Sequence, residues 1–344
     1  MSLKSFTIFL TFLTAVAGAQ NVTKTGTTAS KFLSIGAGSR AVAMGGAFVA
    51  VADDPTAMYW NVGGLPQIQK PELLVNHTRW VADIGFTFVG VVLPVHRLGT
   101  VGIHVTAMTM DEMKETAYGF ENGTGATFKA GSYAAGLSYA RQLTDRFSIG
   151  GTVKVIQEFI SQSSAGGLAI DIGTLYVTPF RGLRFGASIS NFGQKMQMTG
   201  DDLLVQKDID ETQHGNNEGV NAVLSTDRFD LPLLLRVGIA RDIISRDALR
   251  LTLAMDAMHP NDNVEYVNTG FELSLLNNLV SLRGGRKSFY LDRRVREEET
   301  EEQFTVGAGL KTDIQGGVTF GADYAFESFV RLGPIHKFTF RLAF

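Results

Sequence analysis

The chain has six histidines, the residue type whose side chain is best suited to acid–base chemistry near neutral pH. They are scattered through the sequence as His77, His96, His104, His214, His259 and His336. Catalysis would need a histidine beside a serine or a carboxylate, in a site that orients both side chains. The sequence contains no G-x-S-x-G, H-E-x-x-H or clustered metal-ligand motif. It therefore favours a protein that is not an enzyme and that needs no cofactor.

Asp53 and Asp54 are adjacent carboxylates, a pair that Ca²⁺ can use as ligands. Two carboxylates supply too few of the roughly 6–8 oxygen ligands that Ca²⁺ takes, so we expect no metal site. Salt bridges with arginines on the elements around them are the better prediction. The chain has no Cys, which excludes disulfides and thiolate metal sites, and its net charge of -3 argues against nucleic-acid binding.

The first 19 residues have the pattern of a secretory signal peptide. Lys4 precedes an apolar run from about Phe6 to Val16, and Ala17-Gly18-Ala19 is an A-x-A cleavage site. The run is shorter than the ~20 residues of a membrane-spanning helix. We expect export across one membrane and a mature chain that begins at Gln20.

From Glu72 onward the sequence alternates between polar and apolar residues in segments of roughly ten to fourteen residues, the weak signature of a membrane β-barrel. In one of them Leu249, Leu251 and Leu253 face one way, while Arg250 and Thr252 face the other. A water-soluble β-sandwich would alternate in the same way. Fourteen segments are predicted, which begin near residues 72, 86, 99, 130, 145, 166, 181, 229, 247, 264, 278, 303, 316 and 333.

The connections distinguish a barrel from a sandwich. Short turns, such as residues 96–99 and 143–146, alternate with a set that includes the long polar stretches 110–129, 193–228 and 291–303. Outer-membrane barrels have short periplasmic turns, long outer loops and an even number of strands. We therefore predict an all-β fold, a transmembrane antiparallel barrel of about 14 strands over residues 72–344, with both termini in the periplasm.

The last strand ends on an aromatic residue. Its apolar side carries four side chains, Phe338, Phe340, Leu342 and Phe344. This pattern resembles the carboxy-terminal signal by which the outer-membrane insertion machinery recognises barrels. The resemblance implies a bacterial outer-membrane location, contact with membrane lipid, and Phe344 at the periplasmic interface.

Residues 20–71 do not alternate and form a separate N-terminal segment. The run from Ser39 to Val51 is rich in Ala, Gly and Val, so a helix made from it could approach a wall closely. Ser39 is a plausible cap at the start of this helix.

The stretch SIGAGSRAVAMGGAFVAVADDPTAMYWNVGGL resembles the N-terminal segment of the PorV/PorQ family and, more distantly, the hatch of FadL-type transporters. The matching residues are Gly36, Ala37, Arg40, Ala41, Met44, Gly45, Gly46, Ala47, Phe48, Asp53, Asp54, Asn61, Gly64 and Leu65. Val62 and Gly63 depart from the family pattern, which usually has Pro and Ala there. The resemblance implies a hatch, Gly36 to Leu65, inside a fourteen-stranded barrel, with Arg40, Asp53 and Asp54 paired to inward charges.

Resemblance to PorV also implies a role in type IX secretion. The partners would be the translocon and secreted proteins that carry a C-terminal signal domain. The loop from Gly193 to Arg228 is the candidate contact region, through Met196, Met198, Leu203, Leu204, Val205, Asp208, Asp210 and Glu211. The charged run Asp292–Glu302 is expected to be solvated instead.

The alternative is FadL-like transport of a hydrophobic small molecule, which needs an apolar pocket inside the barrel. The predicted inward residues are polar and mixed in sign: Thr152, Lys154, Glu158, Asp171, Arg184, Arg236, Arg250, Asp256, Glu272, Arg283 and Asp323. They favour a hydrated or salt-bridged lumen over a lipid pocket. General porin activity is weakened by the expected plug.

Overall fold

Fourteen antiparallel strands, each hydrogen-bonded to the next along the chain, form one sheet that closes on itself. The computed structural model describes residues 25–95, 97–209, 212, 215, 219–246, 248–290, 302–314 and 316–344. Closure is made by the first and last strands, which pair from Glu72 opposite Ala343 to Arg79 opposite His336. The predicted all-β barrel of about 14 strands is confirmed. The predicted signal peptide, residues 1–19, lies outside the described residues.

The barrel strands are numbered in chain order. They are β1 Glu72–Arg79, β2 Gly85–Val95, β3 Gly99–Thr109, β4 Ala130–Thr144, β5 Phe147–Ile160, β6 Ser163–Val177, β7 Arg184–Gly193, β8 Leu234–Arg246, β9 Leu249–Pro260, β10 Tyr266–Leu275, β11 Val280–Tyr290, β12 Glu302–Asp313, β13 Thr319–Phe329 and β14 Ile335–Ala343. The largest difference from a predicted start is at β8, which was expected near residue 229 and begins at Leu234.

The two ends of the barrel differ. One end, which we call the turn end, holds Glu72, Ala343 and six connections, among them 96–98 and 145–146. The opposite loop end carries the long connections 110–129 and 194–233. Three pairs of short strands order parts of these loops: Met113–Lys114 with Thr127–Phe128, Met196–Gln197 with Arg228–Phe229, and Leu204–Lys207 with Val220–Val223.

The outer face of the barrel is apolar. In β5, Val153 and Val155 are 56% and 55% exposed, while Thr152 and Lys154 between them are buried in the lumen. The same alternation along the other strands makes a continuous exposed apolar surface, which a protein surrounded by water rarely carries. It has the character of the lipid-facing band of a membrane barrel. No helix within the described ranges is long and apolar enough to cross a bilayer.

Residues 30–68, which we call the plug, lie inside the barrel. They form short helical pieces joined by turns: the 3-10 helix Lys31–Ser34, α1 Ser39–Ala43, α2 Ala57–Trp60, and the 3-10 helix Val62–Gln67. Two further 3-10 helices, Val81–Asp83 and Asp201–Leu203, lie in the loops.

The predicted helix from Ser39 to Val51 is much shorter than expected. It ends at Ala43, because Gly45 and Gly46 adopt left-handed backbone angles (φ 68° and 72°) that no α-helix contains. The expected cap at Ser39 is also absent, since Gly38 is the residue that precedes the helix. The backbone N–H of Ser39 instead donates to Thr339 of β14.

Candidate functional site

Backbone contacts hold the plug against the wall. The N–H of Gly45 donates to Thr305, at 2.9 Å, and a Cβ on Gly45 would lie 2.7 Å from the carbonyl oxygen of Thr269. Asp256 accepts hydrogen bonds from the amides of Phe48 and Val49, at 2.7 and 2.9 Å. The turn at Gly45 and Gly46, in place of the expected helix, therefore approaches the wall closely.

Asn61 fixes the last part of the plug. Its side-chain amide donates to the carbonyls of Val49 and Thr174, at 2.8 and 2.9 Å, and its carbonyl accepts from Gly63. Val62, where the family pattern has Pro, is the first residue of a 3-10 helix, a position that tolerates Pro because its N–H is unused in the helix. Most of the predicted hatch residues are buried here: Gly36, Arg40, Met44, Gly45, Gly46, Phe48, Asp54, Asn61, Gly64 and Leu65. Asp53 is half-buried.

Arg40 is the centre of a buried charge cluster. Its guanidinium makes a two-pronged contact with Glu272 of β10, at 2.7 and 2.9 Å, and also pairs with Asp54 and Asp53. Glu272 pairs in turn with Arg283, at 2.7 Å. Arg40 thus meets the expected inward charge, whereas Asp53 and Asp54 pair with Arg40 of the plug itself rather than with wall arginines.

The charge cluster shifts the pKa of its plug residues. Burial alone would lower the pKa of Arg40, but the carboxylates of Asp53 and Glu272 raise it well above its ordinary value. Burial alone would raise the pKa of Asp53, but the Arg40 guanidinium outweighs burial and holds it below its ordinary value. Both groups are therefore ionised at neutral pH. Within the described part of the chain, no three acidic or histidine side chains are placed to hold a metal ion.

Two cavities of more than about 300 Å³ lie between the described residues of the plug and the wall. The turn-end cavity, about 360 Å³, lies beside the charge cluster and is lined by both signs of charge, including Glu72, Lys311 and Arg341. The loop-end cavity, about 320 Å³, is lined by aromatic and cationic side chains, including Trp60 and Arg236.

A third feature of the lumen, the apolar cluster, was missed by the sequence analysis. It fills the loop-end half of the lumen beside β4, β5 and β6, and consists of Phe32, Leu33, Ala134, Ile156, Ala165, Ala169, Met196 and Leu231, flanked by Ala29, Ile35, Met108 and Met198. The predicted inward residues do face the lumen, but much of their charge is paired, as for Lys154 with Asp171 at 2.9 Å. The signal that could have revealed the cluster is the small inward residues Ala165 and Ala169.

The predicted partner-binding loop divides into two parts. Met196 is buried and Met198 half-buried in the apolar cluster, so neither forms the expected contact surface. Leu204 is exposed and Leu203, Val205 and Asp208 are half-buried, on or beside the loop hairpin, Leu204–Lys207 with Val220–Val223. Asp210 and Glu211 lie outside the described residues.

The remaining predicted residues are dispersed over the barrel. Phe338 and Phe340 point outward from β14, Leu342 is half-buried, and Phe344 is exposed at the turn end, its N–H donating to the carbonyl of Pro71. His104 is buried against the ring of Phe88. His77, His259 and His336 are exposed and bond to Thr87, Glu265 and Tyr324, while His96 and His214 lie outside the described residues.

Comparisons with known proteins give a family for this chain. A family model described as an uncharacterised protein family, UPF0164, matches residues 11–209. No curated protein matches the chain.

Three solved structures are similar to this barrel. The toluene transporter TodX of Pseudomonas putida has a TM-score of 0.57 and 11% identity, covering 89% of this chain and 96% of that one. A FadL homologue of Pseudomonas aeruginosa has a TM-score of 0.52 and 13% identity, covering 88% and 96%. The toluene transporter TbuX of Ralstonia pickettii has a TM-score of 0.52 and 14% identity, covering 90% and 97%. The chain therefore has the FadL-like barrel fold, and none of these three is a PorV or PorQ protein.

Proposed function

This chain belongs to the uncharacterised protein family UPF0164, and we propose that it is an outer-membrane barrel that lets small apolar molecules cross into the periplasm. Two of the similar structures are toluene transporters, which supports transport over enzymatic activity. The exposed apolar outer face supports a location within lipid. The short connections at the turn end support an orientation with that end toward the periplasm. The observation that carries the proposal is the apolar cluster in the loop-end half of the lumen.

The composition of the apolar cluster suits a site that repacks around a guest. The small side chains of Ala165 and Ala169 occupy little of the lumen. The unbranched side chains of Met108 and Met196 adapt to differently shaped neighbours. Phe32 and Leu33, from the start of the plug, fill the space between them. Displacing those two side chains would free an apolar volume without breaking a strand of the barrel.

The gate in this proposal is the contact between residues 28–33 and the long loop. Thr28 and Asp230 form an isolated parallel bridge, and the N–H of Ala29 donates to the carbonyl of Asp230 at 2.9 Å. The hydroxyl of Ser30 contacts the sulfur of Met196, at 3.2 Å. Separation of these two segments would expose the apolar cluster to the loop end.

A disulfide across this bridge tests the proposal. The chain has no Cys, so the variant T28C/D230C contains one possible pair, whose backbones are neighbours and within disulfide range. Oxidation should reduce toluene uptake to the level of cells without the protein, because residues 28–33 can no longer leave the loop. A reductant should restore the uptake.

The matched control is M113C/F128C, which links two paired residues of another loop and touches no part of the apolar cluster. Its oxidation should leave uptake unchanged. Uptake that continues through a T28C/D230C barrel, with the cross-link verified by mass spectrometry, would reject the gate. Uptake no different with or without the protein would reject transport itself.

A second candidate function, protein binding of the PorV type in type IX secretion, is favoured by one observation. The loop hairpin and its flanks present apolar side chains to solvent, with Val223 64% and Ile209 70% exposed. Mild-detergent purification from native membranes should recover a translocon barrel or proteins with a C-terminal signal domain if this function is right. The variant L204D/V223D should lose them, and recovery unaffected by this change would argue against the loop hairpin.

A further inference from the structure

Arg236 is a buried cation with no carboxylate partner among the described residues. It points inward from β8 and is only 2% exposed. One nitrogen of its guanidinium donates to the hydroxyl of Ser190, at 2.7 Å, while its Nε has no hydrogen-bond partner in the part of the chain that the structure describes. The guanidinium also lies over the rings of Tyr59 and Trp60, 5.4 and 5.5 Å from their centroids.

The acidic residues around Arg236 are engaged elsewhere. Asp256 accepts hydrogen bonds from the amides of Phe48 and Val49 through one oxygen, and it lies within electrostatic reach of Arg236 without forming an ion pair with it. Asp171 pairs with Lys154, at 2.9 Å. A buried guanidinium that no carboxylate of the described residues contacts is costly, so this arrangement is explained most simply by a partner that arrives from outside the chain.

The loop-end cavity beside Arg236 defines the shape of that partner. Aromatic rings surround it, contributed by Tyr59, Trp60, Tyr266, Tyr290 and Phe329. Its charged lining residues in the described part of the chain are Lys31, Arg236 and Lys287, all cations. Lys31 and Lys287 already pair with Asp262 and Glu327, so Arg236 is the cation that remains for a ligand. A volume of about 320 Å³ is at the small end of ligand sites.

We infer that Arg236 and the loop-end cavity form a binding site for a small aromatic carboxylate. The guanidinium presents N–H groups in a fixed fork that matches a carboxylate, and the surrounding rings accept a flat aromatic body in offset or edge contact. The inference rests on the proposed function and extends it from apolar molecules to aromatic ones that carry an anionic group at one end.

Binding to the purified barrel tests this site separately from transport. The chain has two tryptophans, so the variant W80F leaves Trp60, in the cavity, as the single fluorescent reporter. Benzoate added to W80F should change the Trp60 emission with a saturating curve. R236Q in the same background should weaken benzoate binding at least about tenfold, because it removes a charge-assisted contact.

Two further variants control for folding and for general charge. R236K keeps a buried cation but loses the forked N–H groups of the guanidinium. It should bind benzoate more weakly than the W80F parent and more tightly than R236Q. R250Q removes an inward arginine beside the turn-end cavity and should leave benzoate binding within about twofold of the parent. Heat-resistant migration in a gel identifies the variants that have formed the barrel.

Each other outcome overturns the inference in a distinct way. Absence of benzoate binding to W80F, or equal binding by R236Q, would remove Arg236 as the anion site. Toluene bound as tightly as benzoate would show that the anion is irrelevant, and cyclohexanecarboxylate bound as tightly would show that the aromatic ring is irrelevant. Toluene uptake without benzoate binding would leave the proposed function standing alone.

Discussion

Arg40 pairs with three carboxylates, Asp53, Asp54 and Glu272, in the charge cluster inside the barrel. R40M should destabilise the barrel by roughly 3–5 kcal/mol, because it leaves buried negative charges without their cation. Urea unfolding in lipid vesicles measures the change. The control R79M removes an exposed ion pair with Asp83 and should cost less than about 1 kcal/mol. Equal costs for the two variants would mean that the cluster is hydrated and contributes little.

The same cluster gives the plug a dependence on acid. The pKa of Asp53 is lower in the folded barrel than its ordinary value, so the stabilisation is fully present above that value, about 3.9, and is lost as the pH falls through the folded pKa. The thermal unfolding midpoint of the wild type should therefore decrease when the pH is lowered below about 4. D53N should lower the midpoint at neutral pH and flatten this drop. An unchanged acid slope in D53N would assign it to other carboxylates.

At the residue scale, sequence reasoning located the charged members of the cluster but not their partners. Arg40, Asp53 and Asp54 belong to one motif, and the expectation of wall partners holds for Arg40. It does not hold for Asp53 and Asp54, because the turn between Ala52 and α2 brings both carboxylates back toward Arg40. Such a return depends on backbone angles at a few positions, which residue types do not determine.

Glycine residues allow the plug and the barrel wall to pack closely against each other. Gly270 of β10 lies so close to the plug that it has no room for a Cβ, which would overlap the carbonyl oxygen of Met44. G270A should cost about 1–3 kcal/mol and increase protease cleavage of the plug, since either the wall or the plug must shift. The control G151A, where a Cβ would lie 3.5 Å from its nearest neighbour, should be nearly neutral. Equal protection from protease in both variants would show that the wall yields instead of the plug.

Strands were predictable because their signal is local. Alternation of apolar and polar residues is imposed on each strand by lipid outside and plug inside, and it placed all fourteen starts within five residues. The prediction of a helix from Ser39 to Val51 was wrong in its length, because the composition favours a helix whereas Gly45 and Gly46 form a turn. The apolar cluster was missed for a different reason, since it joins residues from the plug, β4, β5, β6 and the long loop 194–233.

At the scale of the whole molecule, the apolar outer face predicts a depth-dependent cost for charge. V155R places a cation at the middle of β5, on the outer side, and should destabilise the barrel in lipid by about 2–4 kcal/mol. V223R, on the exposed loop hairpin, should change stability by less than about 0.5 kcal/mol. Urea titration in phospholipid vesicles compares them, and a neutral V155R would contradict burial of this face in lipid.

The pairing of β1 with β14 also sets an order of assembly. These strands are the first and the last of the barrel, so their ladder forms only after every strand between them has been made. The plug precedes β1 in the chain and is made before the wall closes, so we expect the curving sheet to form around it. The plug is thus a template around which the wall is wrapped. Weakened contacts between plug and wall would then slow closure as well as destabilise the closed barrel.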